Sequence, residues 1–562
     1  MFKFFKISIY FLCFYLLLSF QWGCKKKDAD VIPTPIPDPL ILNDNSANNA
    51  TSKTLYYGIN TSATIQLFFN NKLDRTTVQS GVLLNENGVA AVPFNVAYSQ
   101  SDSTLTITPQ LPLKFLTRYT LTINTTLASV KKGLVKTNYT IAYVTAIDSA
   151  NKFPTISDNA LLDKIQQQTF KYFWDFGHPT SGMARERNTS ADLVTTGGTG
   201  FGVMAIVAAA SRGFITRAEA AIRVQKISTF LLNNCTRYHG AFAHWVNGVS
   251  GATISFSAND NGGDLVETSL LLQGLITARQ YFNTADATET DLRNKINTIY
   301  SGVEWNWYRQ NNQNVLYWHW STDKGWAINQ RISGWNEALI VYALAASAPL
   351  AANRIPPIVY TNGWARNGAM VNNNTFYGLQ LPLGPNLGGP LFLSQYSFLG
   401  INPNGLNDVY ADYKKQVTNH TKINYEYCKA NPRGWYGYSS LCWGLTASDV
   451  PNGYNANEPN NDIGVIAPTA ALSSMPFTPA ESIAALQFFY YKLGDKLWGQ
   501  YGFYDAFKLS DPWFANSYLA IDQGPIIIMI ENYRTGLLWN LFTSAPEVKA
   551  GMLSLSFTAP YL

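Results

Sequence analysis

The hydrophobic pattern of this chain changes its period once, near residue 150, and this change limits how the chain can fold. Residues 41–147 contain short runs in which apolar and polar residues alternate, and turn residues separate the runs at strand-like intervals. Such a pattern predicts an all-β sandwich. From Asn159 onward, apolar residues recur at helical spacing instead. We therefore predict a multidomain chain. The clearest alternating runs are 64–69, 104–108, 119–123 and 139–144.

The second predicted domain, 148–562, is expected to be all-α. About a dozen helices fit into it, and no convincing series of strands competes with them. An α-toroid accommodates this many helices, with the N-terminal ends and connecting loops of its inner helices around a shared central cleft. The expected helices include 199–211, 217–234, 264–282, 289–309, 333–347, 407–427, 479–493 and 520–540.

The N-terminus indicates export. Lys3 and Lys6 precede an apolar stretch of signal-peptide length, and Gly23-Cys24 follows it. We predict a signal peptide over 1–23. Gly-Cys after such a stretch resembles a bacterial lipoprotein box, and this resemblance implies that Cys24 is lipidated as the first residue of the mature chain. A Pro-rich tether, 24–40, would then hold the protein off the bacterial outer membrane, on its periplasmic or its outer face. The alternative is an ordinary cleaved signal with a fortuitous cysteine.

Composition narrows the class of function. Charged residues make up 14% of the chain, against about 25% in typical soluble proteins. The net charge of +5 is spread along the chain, so nothing indicates nucleic-acid binding. Aromatic residues also reach 14%, with 15 Trp, 32 Tyr and 31 Phe. Flat rings with polar edges suit sugars, although a large core would use them as well. We predict a monomer that contacts the membrane only through its lipid.

Cysteine and histidine spacing argues against a metal enzyme. Three cysteines remain after the signal segment and the lipidation site: Cys235, Cys428 and Cys442. At most one disulfide can form among three, and whether Cys428 and Cys442 pair or stay free is left open. Neither a C-x-x-C nor an H-E-x-x-H motif occurs. We predict neither a metal nor a cofactor.

One acidic stretch stands out in the second domain. The segment D-N-G-G-D-L-V-E-T at 260–268 places Asp260, Asp264 and Glu267 at positions i, i+4 and i+7 ahead of an apolar run. If a helix begins near Asp264, Asp264 and Glu267 share its first turn, and two glycines allow close approach. Helix capping would account for one carboxylate but hardly for three. We expect a functional cleft here.

Two further carboxylates suit acid and base chemistry. Glycoside hydrolysis needs one protonated carboxyl to donate to the leaving oxygen and one ionised carboxyl to activate water or attack carbon. Glu337 precedes an apolar run, and this predicts a place in the first turn of a helix and a raised pKa, as a general acid needs. Asp522 precedes Gly524-Pro525 and another apolar run, which suits a base in a polar loop. A plain helix-start carboxylate and an N-cap are the structural alternatives for Glu337 and Asp522, respectively.

The motifs that hold these residues resemble a known family. The segment from about 168 to 541 is similar to the glucoamylase-like domain of glycoside hydrolase family 144, whose characterised activity is on β-1,2-glucan. Residues 41–147, with F-F-N-N-K-L-D at 68–74, resemble a bacterial Ig-like module of the kind that usually acts as a spacer. The matching motifs in the second domain are T-F-K-Y-F-W-D-F at 169–176, D-N-G-G-D-L-V-E-T at 260–268, I-S-G-W-N-E-A at 332–338, W-Y-G-Y-S-S-L-C-W-G-L-T-A-S-D at 435–449, F-Y-Y-K-L-G-D-K-L-W-G at 489–499, Y-G-F-Y-D-A-F at 501–507 and A-I-D-Q-G-P-I at 520–526.

The resemblance implies an (α/α)6 toroid that hydrolyses β-1,2-glucan or its oligosaccharides with inversion and without a metal. Asp260, Asp264 and Glu267 become the acidic lining of the cleft, Glu337 the general acid and Asp522 the base, which acts directly or through a relay of a substrate hydroxyl and water. The residues expected to contact sugar are Trp174, Trp335, Asn336, Trp435, Tyr436, Trp443, Tyr504, Trp513, Gln523 and Arg534.

Other functions stay open at this point. The same barrel could capture glycan at the surface without cleaving it, or it could carry out phosphorolysis or transglycosylation. The glycine-rich segment 197–202 superficially matches a dinucleotide loop, but no strand or βαβ unit precedes it. We interpret this segment as the start of a helix that lines the cleft.

Overall fold

The computed structural model describes residues 36–48 and 50–562, which form a β-sandwich followed by a helical domain. The predicted signal segment 1–23, the lipidation site Cys24 and most of the 24–40 tether lie outside these residues. The tether's last residue, Leu40, is buried and its backbone N–H bonds to Leu134. No helix in the described part of the chain combines the length and the apolar character needed to cross a membrane.

The sandwich consists of two five-stranded sheets, with strand orders β2-β1-β4-β8-β7 and β3-β10-β9-β5-β6. Alternate residues of β4 and β9 are buried between the sheets, so the period of two in the sequence places one face of each strand in the core. The strands are β1 Leu42–Ala47, β2 Ala50–Thr51, β3 Leu55–Ile59, β4 Ile65–Phe69, β5 Val82–Glu86, β6 Ala90–Ala91, β7 Phe94–Ser99, β8 Thr104–Pro109, β9 Arg118–Ile123 and β10 Tyr139–Thr145.

The second domain is helical, with many short hairpins in its loops. A short helix, α1 Val78–Gly81, belongs to the sandwich. The remaining helices are α2 Asp158–Trp174, α3 Thr196–Ser211, α4 Arg217–Asn233, α5 Leu265–Tyr281, α6 Ala287–Ser301, α7 Leu339–Ala346, α8 Pro357–Val359, α9 Tyr413–Ala430, α10 Pro468–Leu472, α11 Pro479–Leu497, α12 Ala520–Arg534, α13 Leu537–Ser544 and α14 Pro546–Ser554.

The helices fall into two groups by burial. Helices α7 and α10 are buried on every side, and α3, α5 and α12 are buried along nearly their whole length. By contrast, α2, α4, α6, α9 and α11 each bury one face and expose the other. A helix that is buried all round must be enclosed by other elements. The helices of the first group are therefore enclosed by the rest of the domain.

The central pair of helices, α3 and α5, meet through glycines. Helix α3 packs against α5 on one side and α12 on the other. A Cβ atom added to Gly274 would lie 2.0 Å from the carbonyl oxygen of Gly200, and one added to Gly200 would lie 2.2 Å from that of Leu270. No side chain fits at either position. The two glycines thus set how closely the helix axes approach.

One expected helix divides into two. The 520–540 stretch forms α12 and α13, separated at Gly536, whose φ of 70° is left-handed. This conformation suits glycine and ends α12. The Asn532 side chain then accepts a hydrogen bond from the Trp539 backbone N–H, which fixes the direction of α13. Cys235, Cys428 and Cys442 are all buried free thiols, so the open alternative of a Cys428–Cys442 disulfide is not realised.

The sandwich docks directly on the helical domain. The Tyr57 and Tyr436 rings stack with centroids 5.2 Å apart and planes 5° apart. Arg118 pairs with Asp511 at 2.5 Å, and Leu116 is part of a hydrophobic cluster whose other members belong to the helical domain. The sandwich therefore packs against the helical domain, and its role is more than that of a spacer.

We expect the stacked tyrosines to contribute far more to this interface than the ion pair does. Tyr57→Ala should lower the free energy of unfolding by about 2 kcal/mol, because it removes a stacked ring and its buried area. Arg118→Ala should cost less than about 1 kcal/mol, since both partners are substantially exposed. Urea denaturation followed by tryptophan fluorescence measures both values. Equal losses in the two variants would contradict the assignment, and Tyr57→Phe serves as the control that keeps the ring.

Candidate active site

A cavity of about 480 Å³ opens at the N-terminal ends of α3, α5, α7 and α12. Thr195 precedes α3, Glu267 lies in the first turn of α5, Glu337 precedes α7 and Ile521 lies in the first turn of α12, and all four line the cavity. Its volume is in the range of small-molecule sites. Aromatic side chains supply much of the wall: Trp245, Phe256, Trp318, Phe392, Tyr396 and Tyr454.

Asp264 serves two purposes, one with each carboxylate oxygen. Its Oδ1 accepts hydrogen bonds from the backbone N–H groups of Val266 and Glu267, both at 2.9 Å, and so caps α5. Its Oδ2 accepts from His244 Nδ1 at 3.2 Å and Trp318 Nε1 at 3.1 Å. The side chain is fully buried. Capping and site roles, posed as alternatives by the sequence, therefore coexist in one residue.

Glu267 is held at the cavity wall by the start of α3. Its Oε2 accepts from the Gly197 backbone N–H at 2.8 Å and from Thr195 Oγ1 at 3.3 Å. A Cβ at Gly197 would lie 2.5 Å from the same oxygen, so glycine is needed for this contact. The glycine-rich segment 197–202 is indeed helical. Burial raises the pKa of Glu267 while nearby His244 opposes the shift.

His244 is the cation of this acidic group. Burial opposes its charge, but Glu267 and the hydrogen-bonded Asp264 raise the pKa of the imidazole to about 9. Ligand atoms of His244, Asp260 and Asp264 lie within 4.8 Å of one another, close enough to hold a metal ion. A metal would need the neutral imidazole and would displace the hydrogen bonds on Asp264. The geometry therefore favours an ion-paired cluster at this position.

Asp260 lies at the edge of the cluster. Its Oδ1 is 3.5 Å from His319 Nε2, a nitrogen that already accepts from the Gly262 N–H at 2.9 Å. Burial and the Asp264 carboxylate raise the pKa of Asp260 to about 6. The three acidic residues of the 260–268 motif thus lie close together, but of the three only Glu267 lines the cavity, so the expectation that Asp260 and Asp264 line it as well is corrected.

Glu337 stands beside the cluster in an environment suited to a proton donor. It occupies a turn directly before α7, so the prediction that it lies in the helix's first turn is wrong by two residues. The turn is fixed by the Asn336 side chain, which accepts from the Ala338 N–H at 2.9 Å, and by Ser397 Oγ, which donates to the Glu337 carbonyl. Burial raises the pKa of Glu337 to about 7, with Asp264 and Glu267 adding to the shift.

A second group of carboxylates is associated with α12 and the loops around it. Glu186 lines the cavity and forms an ion pair with Arg187, whose Nη1 is also 3.3 Å from Asp449. Asp522 lies in the first turn of α12 and is 2% exposed. The N-cap of this helix is Leu519, three residues before Asp522, so the capping alternative for Asp522 does not hold. The prediction of a polar loop is also corrected, since Asp522 is helical and buried.

Several side chains that were expected to contact sugar pack against, or hydrogen-bond to, other parts of the protein instead. Trp443 is fully buried, with its indole N–H bonded to the Glu481 carbonyl. Tyr436 stacks on Tyr57. These positions correct the corresponding predictions. The other side chains outside the cavity walls are Trp174 under Arg223, Trp435 under Lys508, Tyr504 against Tyr518, Gln523 on the Phe503 carbonyl and Arg534 on Asp163.

Three predicted contacts lie nearer the site. Asn336 holds the Glu337 turn, as above, and Trp335 is buried, stacked on Phe398. Trp513 lines an adjoining cavity of about 620 Å³ that shares Arg187 and Tyr454 with the first. Trp513 is therefore the one predicted aromatic that faces a described cavity.

Sequence reasoning missed several residues of the site. Asp449 and Asp505 belong to the motifs at 435–449 and 501–507, so counting the carboxylates of each motif would have identified them as candidates. His244, Trp318 and Tyr396 lie outside all of the motifs. Their side chains reach the cavity only through tertiary packing, so they left no local signal.

Comparison with known proteins places this arrangement in a family. The "Glycoamylase" family model matches residues 329–546, and the bacterial Ig-like domain model matches 43–145. An exo β-1,2-glucooligosaccharide sophorohydrolase (non-reducing end) of Parabacteroides distasonis is 45% identical over 426 residues, 72% of this chain. This chain spans only 58% of the length of that curated relative.

Solved structures agree with the match. The endo-β-1,2-glucanase of Chitinophaga pinensis, in complex with sophorotriose and glucose, is 48% identical, with a TM-score of 0.71, over 73% of this chain and 100% of its own. A β-1,2-glucanase of Parabacteroides distasonis is 37% identical, with a TM-score of 0.69, over 93% of this chain and 74% of its own. The chain therefore belongs to the glucoamylase-like glycoside hydrolases of the family 144 type, here with an N-terminal bacterial Ig-like domain.

Proposed function

We propose that this protein hydrolyses β-1,2-glucan or its oligosaccharides with inversion, using carboxylates as acid and base. The observation that carries this proposal is one aromatic-walled cavity with two separate carboxylate groups. Glu337 stands beside the His244 cluster, and Asp522 stands beside Glu186 and Asp449. The sophorohydrolase and β-1,2-glucanase relatives of this protein support the choice of substrate.

We also propose that the helices form an (α/α)6 toroid. We assign α3, α5, α7, α10 and α12 to five of the six inner positions, because they are buried and because α3 packs between α5 and α12 and α10 packs against α12. The N-terminal ends of α3, α5, α7 and α12 converge on the cavity. In this arrangement the cavity is the mouth of the ring, and the loops before each inner helix set its shape.

In the proposed mechanism Glu337 protonates the leaving glycosidic oxygen. A carboxyl with a pKa near 7 is both protonated and able to release its proton at neutral pH. The neighbouring Asp264 and Glu267 carboxylates raise the pKa of Glu337 further and so help to keep it protonated. The cluster of Asp260, Asp264, Glu267 and cationic His244 orients sugar hydroxyls. Glu267 and His244 line the cavity directly, and Asp264 supports them from behind.

Asp522 takes the role of the base from behind the cavity wall. It is buried, while its neighbours Leu519 and Ile521 line the cavity. Tyr396 lines the same cavity, and burial together with the charges of Asp522, Glu337 and Glu267 raises the pKa of its hydroxyl. Proton transfer from water to Asp522 then passes through a relay of hydroxyl groups and water.

Phosphorolysis fits the cavity less well. The cations among its described lining residues are Arg187 and His244. Arg187 is paired with Glu186 and Asp449, and His244 is paired with Asp264. A phosphate would meet carboxylates and already paired donors. Product formation in a buffer without phosphate would indicate hydrolysis, because phosphorolysis needs phosphate. Products longer than the substrate would reveal transglycosylation.

The remaining proposals concern location and state. We place the protein, as a monomer, on the bacterial outer membrane through a lipid on Cys24. The lipid anchor and the location are proposed from the N-terminal sequence alone. Metabolic labelling with a palmitate analogue, compared between the wild type and Cys24→Ala, tests the lipid anchor.

Glu337→Gln should lower kcat/KM on linear β-1,2-glucan by about 10²- to 10⁴-fold, because the amide cannot donate the proton. Reducing-end release measures the loss, and NMR of the first product should show inverted anomeric configuration. Glu426→Gln, on the exposed side of α9, is the matched control and should keep full activity. Undiminished hydrolysis by Glu337→Gln would remove the acid assignment, and no hydrolysis by the wild type would favour a glycan-binding protein.

The activity of the wild type should fall as pH rises through about 7. Glu337 acts only when protonated, and its pKa is raised to about 7, so on the alkaline side of the profile kcat/KM should drop about tenfold per pH unit above this value. A pH–rate profile between pH 5 and 9 checks this. A flat profile up to pH 9 would contradict the role of Glu337.

A further inference from the structure

Two buried aspartates, Asp505 and Asp522, face each other beneath the cavity wall. Each side chain is 2% exposed, and the two carboxyl groups are within hydrogen-bond reach of each other. Asp505 Oδ1 and Asp522 Oδ2 are both buried, and neither accepts a hydrogen bond from any described protein group. An unsatisfied buried carboxylate oxygen is costly. One proton held by the pair would satisfy both oxygens.

The surroundings hold this pair in place. Asp505 Oδ2 accepts from the Asp449 backbone N–H at 2.7 Å, and the Asp505 N–H donates to the Ser517 carbonyl at 3.0 Å. The Asp449 carboxylate is itself bound by Ser517 Oγ at 2.5 Å and by Arg187. Asp505 thus has one oxygen committed to the backbone and one left for Asp522.

The charged and titratable groups around the pair are few. Asp449 and Glu186 add negative charge, and Arg187 adds positive charge. The hydroxyls of Tyr454 and Tyr396 face the same charges. With three carboxylates already crowded here, a second full charge on the Asp505–Asp522 pair is strongly disfavoured.

We propose that Asp505 and Asp522 share one proton and work as a single carboxyl–carboxylate dyad, in which Asp505 is a positioning residue for the base Asp522. The proton bridges Asp505 Oδ1 and Asp522 Oδ2, and the pair carries one negative charge. This inference rests on the proposed hydrolysis for its role in catalysis, but the dyad itself does not depend on the substrate.

The proton balance of the reaction follows. The oxygen of water forms a bond to the anomeric carbon while the glycosidic C–O bond breaks. Glu337 gives its proton to the leaving oxygen, and the relay delivers one proton from water to the dyad, which becomes neutral. After product release the dyad loses this proton to solvent and Glu337 regains one, so the site returns to its starting charge.

Asp505→Asn tests the dyad with little disturbance. The amide oxygen can still accept from the Asp449 N–H, and the amide NH2 can donate to an ionised Asp522. This change replaces the shared O–H···O⁻ hydrogen bond by a weaker N–H···O⁻ one, so the charge on Asp522 is less stabilised than in the dyad and its pKa rises. Asp522 is then protonated, and lost as a base, at a higher pH. At neutral pH we expect kcat to fall at least tenfold with KM within about threefold, and the acidic limb of the pH–rate profile to move at least one unit higher. Asp505→Glu should restore part of both values.

Asp511→Asn is the matched control. Asp511 follows Asp505 by six residues but is exposed and paired with Lys508 and Arg118. The Asp511→Asn substitution should leave kcat and the acidic limb of the pH–rate profile unchanged. An Asp505→Asn variant whose acidic limb stays in place would overturn the dyad, even if its activity fell, because a purely structural role predicts loss without a shift.

A second measurement makes the dyad testable without any substrate. Infrared spectra of protein labelled with ¹³C at the aspartate carboxyls should show one protonated carboxyl at pH 8 in the wild type. Asp505→Asn and Asp522→Asn should each lose this band. Its absence from the wild type would overturn the dyad, whereas its presence in a protein that cleaves no glucan would overturn only the hydrolytic role.

Discussion

The close contact between α3 and α5 is the constraint on which both fold and site depend. Gly200 and Gly274 let the backbones of these two buried helices touch. One turn further toward the N-terminus of α3, Gly197 donates its N–H to Glu267 at the start of α5. The contact that closes the helical core therefore also fixes an acidic side chain at the cavity wall. A larger residue at any of these positions would separate the helices and move the carboxylate.

The site separates its charges by using the ends of different helices. The α5 and α7 ends carry Asp264, Glu267 and Glu337, and one imidazolium, His244, compensates them. The α12 end carries Asp522 among Glu186, Asp449 and Asp505. Burial and like charge push protons onto some carboxyls, while ion pairs with His244 and Arg187 keep others ionised. Acid and base assignments follow from this difference in environment.

The Ig-like domain contacts two segments of the helical domain that lead to the cavities. Tyr57 stacks on Tyr436, which begins the long segment that ends at Asp449. Arg118 contacts Asp511 in the hairpin that leads to Trp513 and the second cavity. The sandwich thus supports two segments that reach the site. A role as a simple spacer does not explain these contacts.

The sequence alone determined the two domain classes, the approximate helices and the acidic motif, because periodicity, capping and charge clustering are local properties. Asp264, Glu267 and Glu337 were identified this way, with Glu337 misplaced by two residues. Tertiary structure alone decided which aromatic rings face the cavity, since Trp443 and Trp318 look alike in sequence while one packs in the core and the other bonds to Asp264. It also decided that Asp522 lies beside Asp505, a contact made when the 501–507 segment meets α12. Contacts between residues far apart in the chain depend on how helices pack, and no local pattern records that.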